Sequence, residues 1–317
     1  MASFDVLLKI GLKPHRCKLP QTKQGFEAFV EWLKELGVKR IHACMEHTGG
    51  YELKLAQFLL SQGHKVSIVD PCRVLAAKRS DGRMAKTDAI DAQALCKFCK
   101  EKVPEPWNPR PDSYRELTYL VRHRENLVEQ IILLTNRRSA PFSQSAFVHE
   151  QQDAAIELFK LQLEIAEQTI KEHVKANKQL AEDVSLIGSI KGAKFITAVK
   201  VLAEAGPISG YPTAQSLALA AGLTPIPNQS GRSMGKRKMP IYGNQRLRQA
   251  LQMAATVAKT HNPAINLFAQ RLTQRGKCKL LVTKAVQRKL AHIIWAILTY
   301  RHPYDPTKAV QGFQTDP

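Results

Sequence analysis

What the 317-residue chain has least of is negative charge: 27 Asp and Glu stand against 47 Lys and Arg, a formal net charge of +20. A surface so positive attracts polyphosphate and releases counterions on contact, which makes nucleic acid the favoured partner, with a generically basic ribosome-associated factor as the plainer alternative. Long hydrophobic runs are also missing: nothing approaches the roughly 20 apolar residues that a bilayer-crossing helix needs. Met1-Ala2-Ser3-Phe4-Asp5 has neither the basic nor the apolar region of a secretion signal. The expectation is a cytoplasmic protein with no membrane partner. Cysteine is sparse, six residues scattered over the chain, so no secreted disulfide framework is encoded. Cys96 and Cys99 make a single C-x-x-C inside a helical pattern with no second pair, and read as buried thiols. What is present is length enough for two domains and a sizeable core, with a 44% hydrophobic content that fits a soluble globular protein.

The first hundred residues alternate strand and helix signals, the pattern of an α/β domain. Strands are expected at Phe4 to Ile10, Ile41 to Met45 and Val66 to Val69, and helices at Gly25 to Leu36 and Leu53 to Leu60. Pro104, Pro106, Pro109 and Pro111 punctuate a linker around Trp107. Beyond it Leu117, Leu120, Leu127, Ile131 and Leu134 share a helical face, and after a break near Pro141 the pattern resumes through Ile156, Phe159, Leu163, Ile170 and Val174. Two long helices joined by a loop fit either an antiparallel hairpin or an intermolecular coiled coil. From Leu186 the chain reads as a further, mostly helical unit. Its segment Ser189-Ile190-Lys191-Gly192 leading into Thr197-Ala198-Val199 resembles a helix-hairpin-helix turn, with Lys194 in place of the second glycine. The expected domains are 1–105 (α/β), 106–183 (helical hairpin or coiled-coil spacer) and 184–317 (mostly α).

Against the basic background, the acidic residues around Cys44-Met45-Glu46-His47-Thr48-Gly49-Gly50-Tyr51 and Lys86-Thr87-Asp88-Ala89-Ile90-Asp91-Ala92 stand out. Asp88 and Asp91, three apart on a helix, leave one face and can grip a hard cation. Glu46 ends a buried strand aimed at that pair. The plainer reading is a pair of aspartates that complement a helix dipole.

A second locus runs from Ala221-Gly222-Leu223-Thr224-Pro225 through Asn228-Gln229-Ser230-Gly231-Arg232-Ser233 to Lys236-Arg237-Lys238. It reads as a flexible, cationic loop carrying a hydroxyl. Serine attacks phosphate only when its proton is removed and the phosphate charge is neutralised, and the adjacent cations meet the second condition. Ser-Gly pairs are also common in plain turns. Arg246, Arg248, Lys284, Arg288 and Lys289 on the last helices read as a solvated face or a phosphate track, and the overall charge favours the track.

Taken in order, Glu46 to Tyr51, Lys86 to Ala92, Ala221 to Pro225 and the Ser230-Gly231 pair resemble the insertion-sequence "one-ten" family of DEDD transposases, with Piv-type DNA invertases as relatives; the resemblance runs from about Phe4 to Pro306. It implies an N-terminal RuvC-like (RNase H-like) domain, a coiled-coil spacer and a C-terminal transposase domain. It further implies a prokaryotic, nucleoid-associated recombinase that acts on donor and target double-stranded DNA, is guided by a structured RNA from its own element, and works as a homo-oligomer, dimer or tetramer. Glu46, Asp88 and Asp91 carry over as magnesium ligands and Ser230 as the nucleophile, with Arg232, Lys236, Arg237, Lys238, Arg246 and Arg248 on nucleic acid. The family's first acidic ligand is an aspartate in a Gly-Ile-Asp strand, which an alignment through Phe4-Asp5-Val6 places upstream of Met1. That departure sets the expectation of a truncated or decayed copy. The alternatives are therefore a catalytically impaired nucleic-acid-binding remnant and a RuvC-like metal-dependent nuclease in which Ser230 is structural. His47, where relatives carry a small residue, reads as a tolerated variant.

Overall fold

The computed structural model describes residues 3–80, 87–140, 145–230, 233–238 and 243–307; of residues 88, 89, 226–230 and 233–238 it describes the backbone alone. The chain divides into two compact units, Met1–Pro109 and Arg110–Pro317.

In the first unit, β1 (Ser3–Ile10) pairs antiparallel with β2 (Lys13–Pro20). The turn between them passes through Gly11 at a φ of 62°, a left-handed conformation that glycine adopts without a Cβ penalty. Helix α1 (Lys23–Glu35) starts where the Thr22 hydroxyl accepts from Gly25 N, a side-chain N-cap. Gly25 itself is dictated by contact: a Cβ there would lie 2.0 Å from the carbonyl oxygen of Pro20. β3 (His42–Glu46) runs parallel to β4 (Lys65–Val69) through the crossover helix α2 (Tyr51–Ser61), the connection that parallel strands require. β4 ends at Val69 and Pro71 opens a helix, α3 (Pro71–Ser80), at the position where its missing N–H costs nothing. α4 (Asp88–Lys102) follows, capped by Thr87. Phe26, Phe29, Leu33, Leu55, Leu59 and Val66 form the core. The expected linker is partly structured, since Trp107 packs on this core and its N–H donates to the carbonyl of Val66 at 2.7 Å.

Among its described residues, the second unit is helical apart from one pair of strands. α5 (Asp112–Arg138) and α6 (Ala146–Ala176) pack as an antiparallel hairpin, tied by Arg124 to Glu167 at 2.8 Å and Arg138 to Asp153 at 3.0 Å. Then come α7 (Lys178–Gly188), α8 (Phe195–Ala205), a 3-10 turn at Ile208–Gly210, α9 (Ala214–Ala220), the strands β5 (Ile226–Ser230) and β6 (Ser233–Lys238), α10 (Gln245–His261), α11 (Pro263–Gln274) and α12 (Lys279–Tyr300). Leu117 and Val121 of α5 and Ile170 and Val174 of α6 are buried in the same core as Ile187, Leu202, Leu251 and Ile294. The hairpin and the C-terminal helices thus fold around one apolar interior.

The turn between α7 and α8 buries Ile190 and Ala193 and leaves Lys191 and Lys194 exposed. Gly192 has a φ of 114°, and a Cβ there would meet Ala258 of α10 at 2.9 Å, so the glycine serves a close helix contact.

Candidate active site and nucleic-acid interface

Strand β3, expected to be buried, is half-buried along its whole length, and its last residue, Glu46, sits at the carboxyl end of a parallel pair. Binding sites favour that end in α/β folds. Burial raises the Glu46 carboxyl pKa, and the neighbouring Asp91 raises it further, against a smaller opposing pull from Lys78. Two carboxylates at one place resist joint ionisation unless a cation sits with them. Here Lys78, almost wholly buried on α3, pairs with Asp91. Helix α4 packs against β3, and Asp91 lies near enough to Glu46 for their charges to interact. Asp88 is the first residue of α4, one turn before Asp91, and its side chain lies outside the described residues. The donors are hard oxygens, a set that suits magnesium.

Glu52 was not singled out by sequence, yet it organises the segment after Glu46. Its side chain is 4% exposed. It receives His47 Nδ1 at 2.6 Å, Thr48 N at 3.1 Å, the Thr48 hydroxyl at 2.9 Å and Gly50 N at 3.0 Å. Burial acts to raise its pKa, but these hydrogen bonds outweigh it and the net shift is downward, so the carboxylate is ionised at neutral pH. His47 is thus a partner of Glu52. Gly49 and Gly50, with φ of 77° and 109°, allow the chain to wrap round the carboxylate.

The serine locus is not the loop expected. Ser230 is the last residue of β5 and pairs with Ser233 at the start of β6. The segments IPNQS and SMGKRK carry no apolar alternation, so a strand signal of period 2 is absent from them. Gly231 and Arg232 lie outside the described residues, as do the side chains of Ser230, Lys236, Arg237 and Lys238. The base of this hairpin is firmly held. A Cβ on Gly243 would stand 2.6 Å from Gly222 N, so two glycines let the entering and leaving chains touch. Asn244 N donates to the carbonyl of Ala220 at 2.7 Å, and the Asn244 side chain caps α10 while donating to Glu204 Oε2 at 2.9 Å.

Glu204 anchors this base. Arg122 grips it through Nε to Oε1 at 2.9 Å and Nη2 to Oε2 at 3.1 Å, a forked pairing that guanidinium and carboxylate favour. Burial pushes the Glu204 carboxyl pKa up, while Arg122 and Asn244 pull it down further, so the net shift is downward.

Arg246 does not present a free guanidinium. It pairs with Glu125 at 2.7 Å, and Lys200 takes the other oxygen of that carboxylate at 2.8 Å. Burial lowers the pKa of the Lys284 amine, and the positive charge of Arg248 lowers it further.

Comparison with known proteins bears on both loci. A family model described as "Transposase", of the DEDD type, matches residues 4–145, and one described as "Transposase IS116/IS110/IS902 family" matches residues 184–270. The chain is similar to the "Pilin gene-inverting protein" of Moraxella bovis, with 31% identity over 307 residues, 96% of this chain and 94% of that protein. The protein of the same name from Moraxella lacunata matches equally, at 31% over 307 residues. The "Transposase for insertion sequence element IS1328" of Yersinia enterocolitica is 23% identical over 278 residues, 77% of this chain and 80% of that protein.

Proposed function

Because the chain belongs to the IS110 family of DEDD transposases, we propose that it is a site-specific DNA recombinase that uses Ser230 as nucleophile and Glu46, Asp88 and Asp91 as magnesium ligands. The observation that supports this reading is that Glu46 ends β3 where α4, the helix that carries Asp91, packs against that strand. A magnesium ion held there would polarise a scissile phosphate. Glu46 and Asp91 would orient the reacting group, with Lys78 paired to Asp91. The Ser230 oxygen attacks phosphorus as its proton passes to solvent, a serine ester of phosphate forms, and the bond to the departing nucleoside oxygen breaks as that oxygen takes up a proton. Arg232, Lys236, Arg237 and Lys238 balance phosphate charge around the serine, and Arg248 with Lys284 extends the track.

A structured RNA from the element is the proposed guide, held with donor and target DNA by a chain of charge +20. Recombination joins ends from two duplexes, so the working form is a dimer or tetramer. Leu158, Leu161 and Ile165 of α6, spaced three and four apart and each more than half exposed, supply an apolar seam for a second copy.

The test is recombination between paired element ends in cells. Ser230→Ala and Asp91→Asn should each abolish junction formation while DNA binding persists. Junctions at the wild-type rate in Ser230→Ala would remove the nucleophile assignment. DNA cleavage that survives Ser230→Ala but is lost in Asp91→Asn would favour a metal-dependent nuclease.

A further inference from the structure

The strand that carries Glu46 also carries a softer set of donors. Residues two apart on a strand point to the same side, so His42, Cys44 and Glu46 form one row on β3. Helix α4 runs against this row in the opposite direction: Asp91 meets Glu46 near its start, and the Cys99 sulfur lies 3.8 Å from the carbonyl oxygen of His42 near its end. One ring nitrogen of His42 and the sulfurs of Cys44 and Cys99 lie within 4.8 Å of one another. Ligand atoms around a tetrahedral zinc ion stand roughly 3.5–3.8 Å apart, so small side-chain rotations would close the set.

The histidine is oriented for such a role. Ser67 has one hydroxyl proton, directed at the carbonyl oxygens of Pro104 at 3.0 Å and Glu105 at 2.7 Å. Its oxygen must then accept from His42 Nε2, 2.7 Å away. This fixes the proton on Nε2 and leaves the lone pair on Nδ1, the arrangement in which metal-bound imidazoles donate their other N–H to a neighbour. Cys44 and Cys99 are free thiols, both half-buried. All three donors line a cavity of about 1260 Å³ in the first unit, and so does Cys96, one helical turn before Cys99. The cavity offers a way in, and Cys96 or water a fourth ligand.

We infer that His42, Cys44 and Cys99 form a binding site for a soft divalent cation, zinc by its chemistry, that fastens β3 to α4. It is separate from the hard-oxygen site of Glu46 and Asp91. Each zinc ion bound displaces two thiol protons and is held as a bis-thiolate. By joining the two elements that carry Glu46 and Asp91, the ion would set the spacing of those carboxylates without touching DNA.

The test uses the full chain, reduced and stripped with a chelator, and titrates it with cobalt(II) as the probe. The expected result is one equivalent bound with thiolate-to-cobalt charge-transfer absorption and intense tetrahedral visible bands, displaced by zinc but not by magnesium. Cys44→Ala and Cys99→Ala should each weaken cobalt binding by at least about 100-fold, the upper end of what loss of a supporting shell alone produces. Cys72→Ala and Cys278→Ala, at exposed thiols, should leave it unchanged. His42→Gln serves where a cysteine change disturbs folding, and should shift the charge-transfer band. Wild-type protein without that band, or Cys99→Ala retaining it at full affinity, would overturn the site and leave the proposed recombinase chemistry untouched.

Discussion

Replacing Glu204 by glutamine tests the reading that a buried ion pair holds the base of the serine hairpin. Glu204 is 4% exposed and takes three hydrogen bonds, two from Arg122 and one from Asn244. Breaking a fully buried pair costs about 3–5 kcal/mol. Arg122 is 46% exposed and regains water when its partner goes, which reduces the expected loss to about 2 kcal/mol. For a unit of this size that corresponds to roughly 4–8 °C in Tm. The pH dependence follows from the direction of the Glu204 shift. Its folded pKa lies below the unfolded value, so its ionised form contributes stability above about pH 4.3, and that contribution is lost as pH falls through the folded pKa. Wild type and Glu204→Gln should therefore differ most at neutral pH and converge on acidification below about pH 4.3. Urea denaturation followed through Trp295, which lies in the second unit and donates to the carbonyl of Tyr211 at 2.8 Å, reads the difference. A Glu204→Gln protein within about 0.5 kcal/mol of wild type at pH 7, the range of an ordinary surface substitution, would refute the reasoning. So would a gap that stays constant as the pH falls.

Other perturbations have outcomes of the same kind. Gly243→Ala places a Cβ 2.6 Å from Gly222 N at a φ of 109°, and should cost about 1–3 kcal/mol and speed proteolysis within 224–242, measured by limited digestion. Glu52→Ala removes four acceptor contacts and should cost about 2–3 kcal/mol, with faster amide exchange at Thr48 and Gly50. Tyr114→Phe deletes a 2.6 Å hydrogen bond to the buried Asp183 and should lower the stability of the second unit by about 1 kcal/mol, read from a urea midpoint.

Elements with strong apolar periodicity were legible in the sequence: β1, α1, β3, α2 and β4 fall within a few residues of their expected places, and so do the two long helices. β2 was not, because KPHRCKLP is mostly polar and carries two prolines, although its inner face packs Cys17 and Leu19 on the core. β5 and β6 escaped because they lack apolar alternation altogether. At the carboxylate site, Glu46 and Asp91 are found by motif, but Lys78 is not, since its pairing with Asp91 joins separate helices. Glu52 carried a usable signal, an acid in the first turn of a helix after Gly49-Gly50. Arg246 shows the opposite failure: sequence reports its charge but not Glu125, which lies 121 positions away and neutralises it.

The proposal with most at stake is that Ser230 is the nucleophile and that Glu46 and Asp91 support the same reaction. The most direct measurement mixes the protein with magnesium, the element's junction DNA and its neighbouring RNA, and looks for a covalent protein–DNA adduct under denaturing conditions. The account predicts an adduct from the wild type, none from Ser230→Ala, and at most about one hundredth of the wild-type rate from Asp91→Asn, as for loss of a principal electrostatic contributor. An adduct that forms equally well in Ser230→Ala would contradict it.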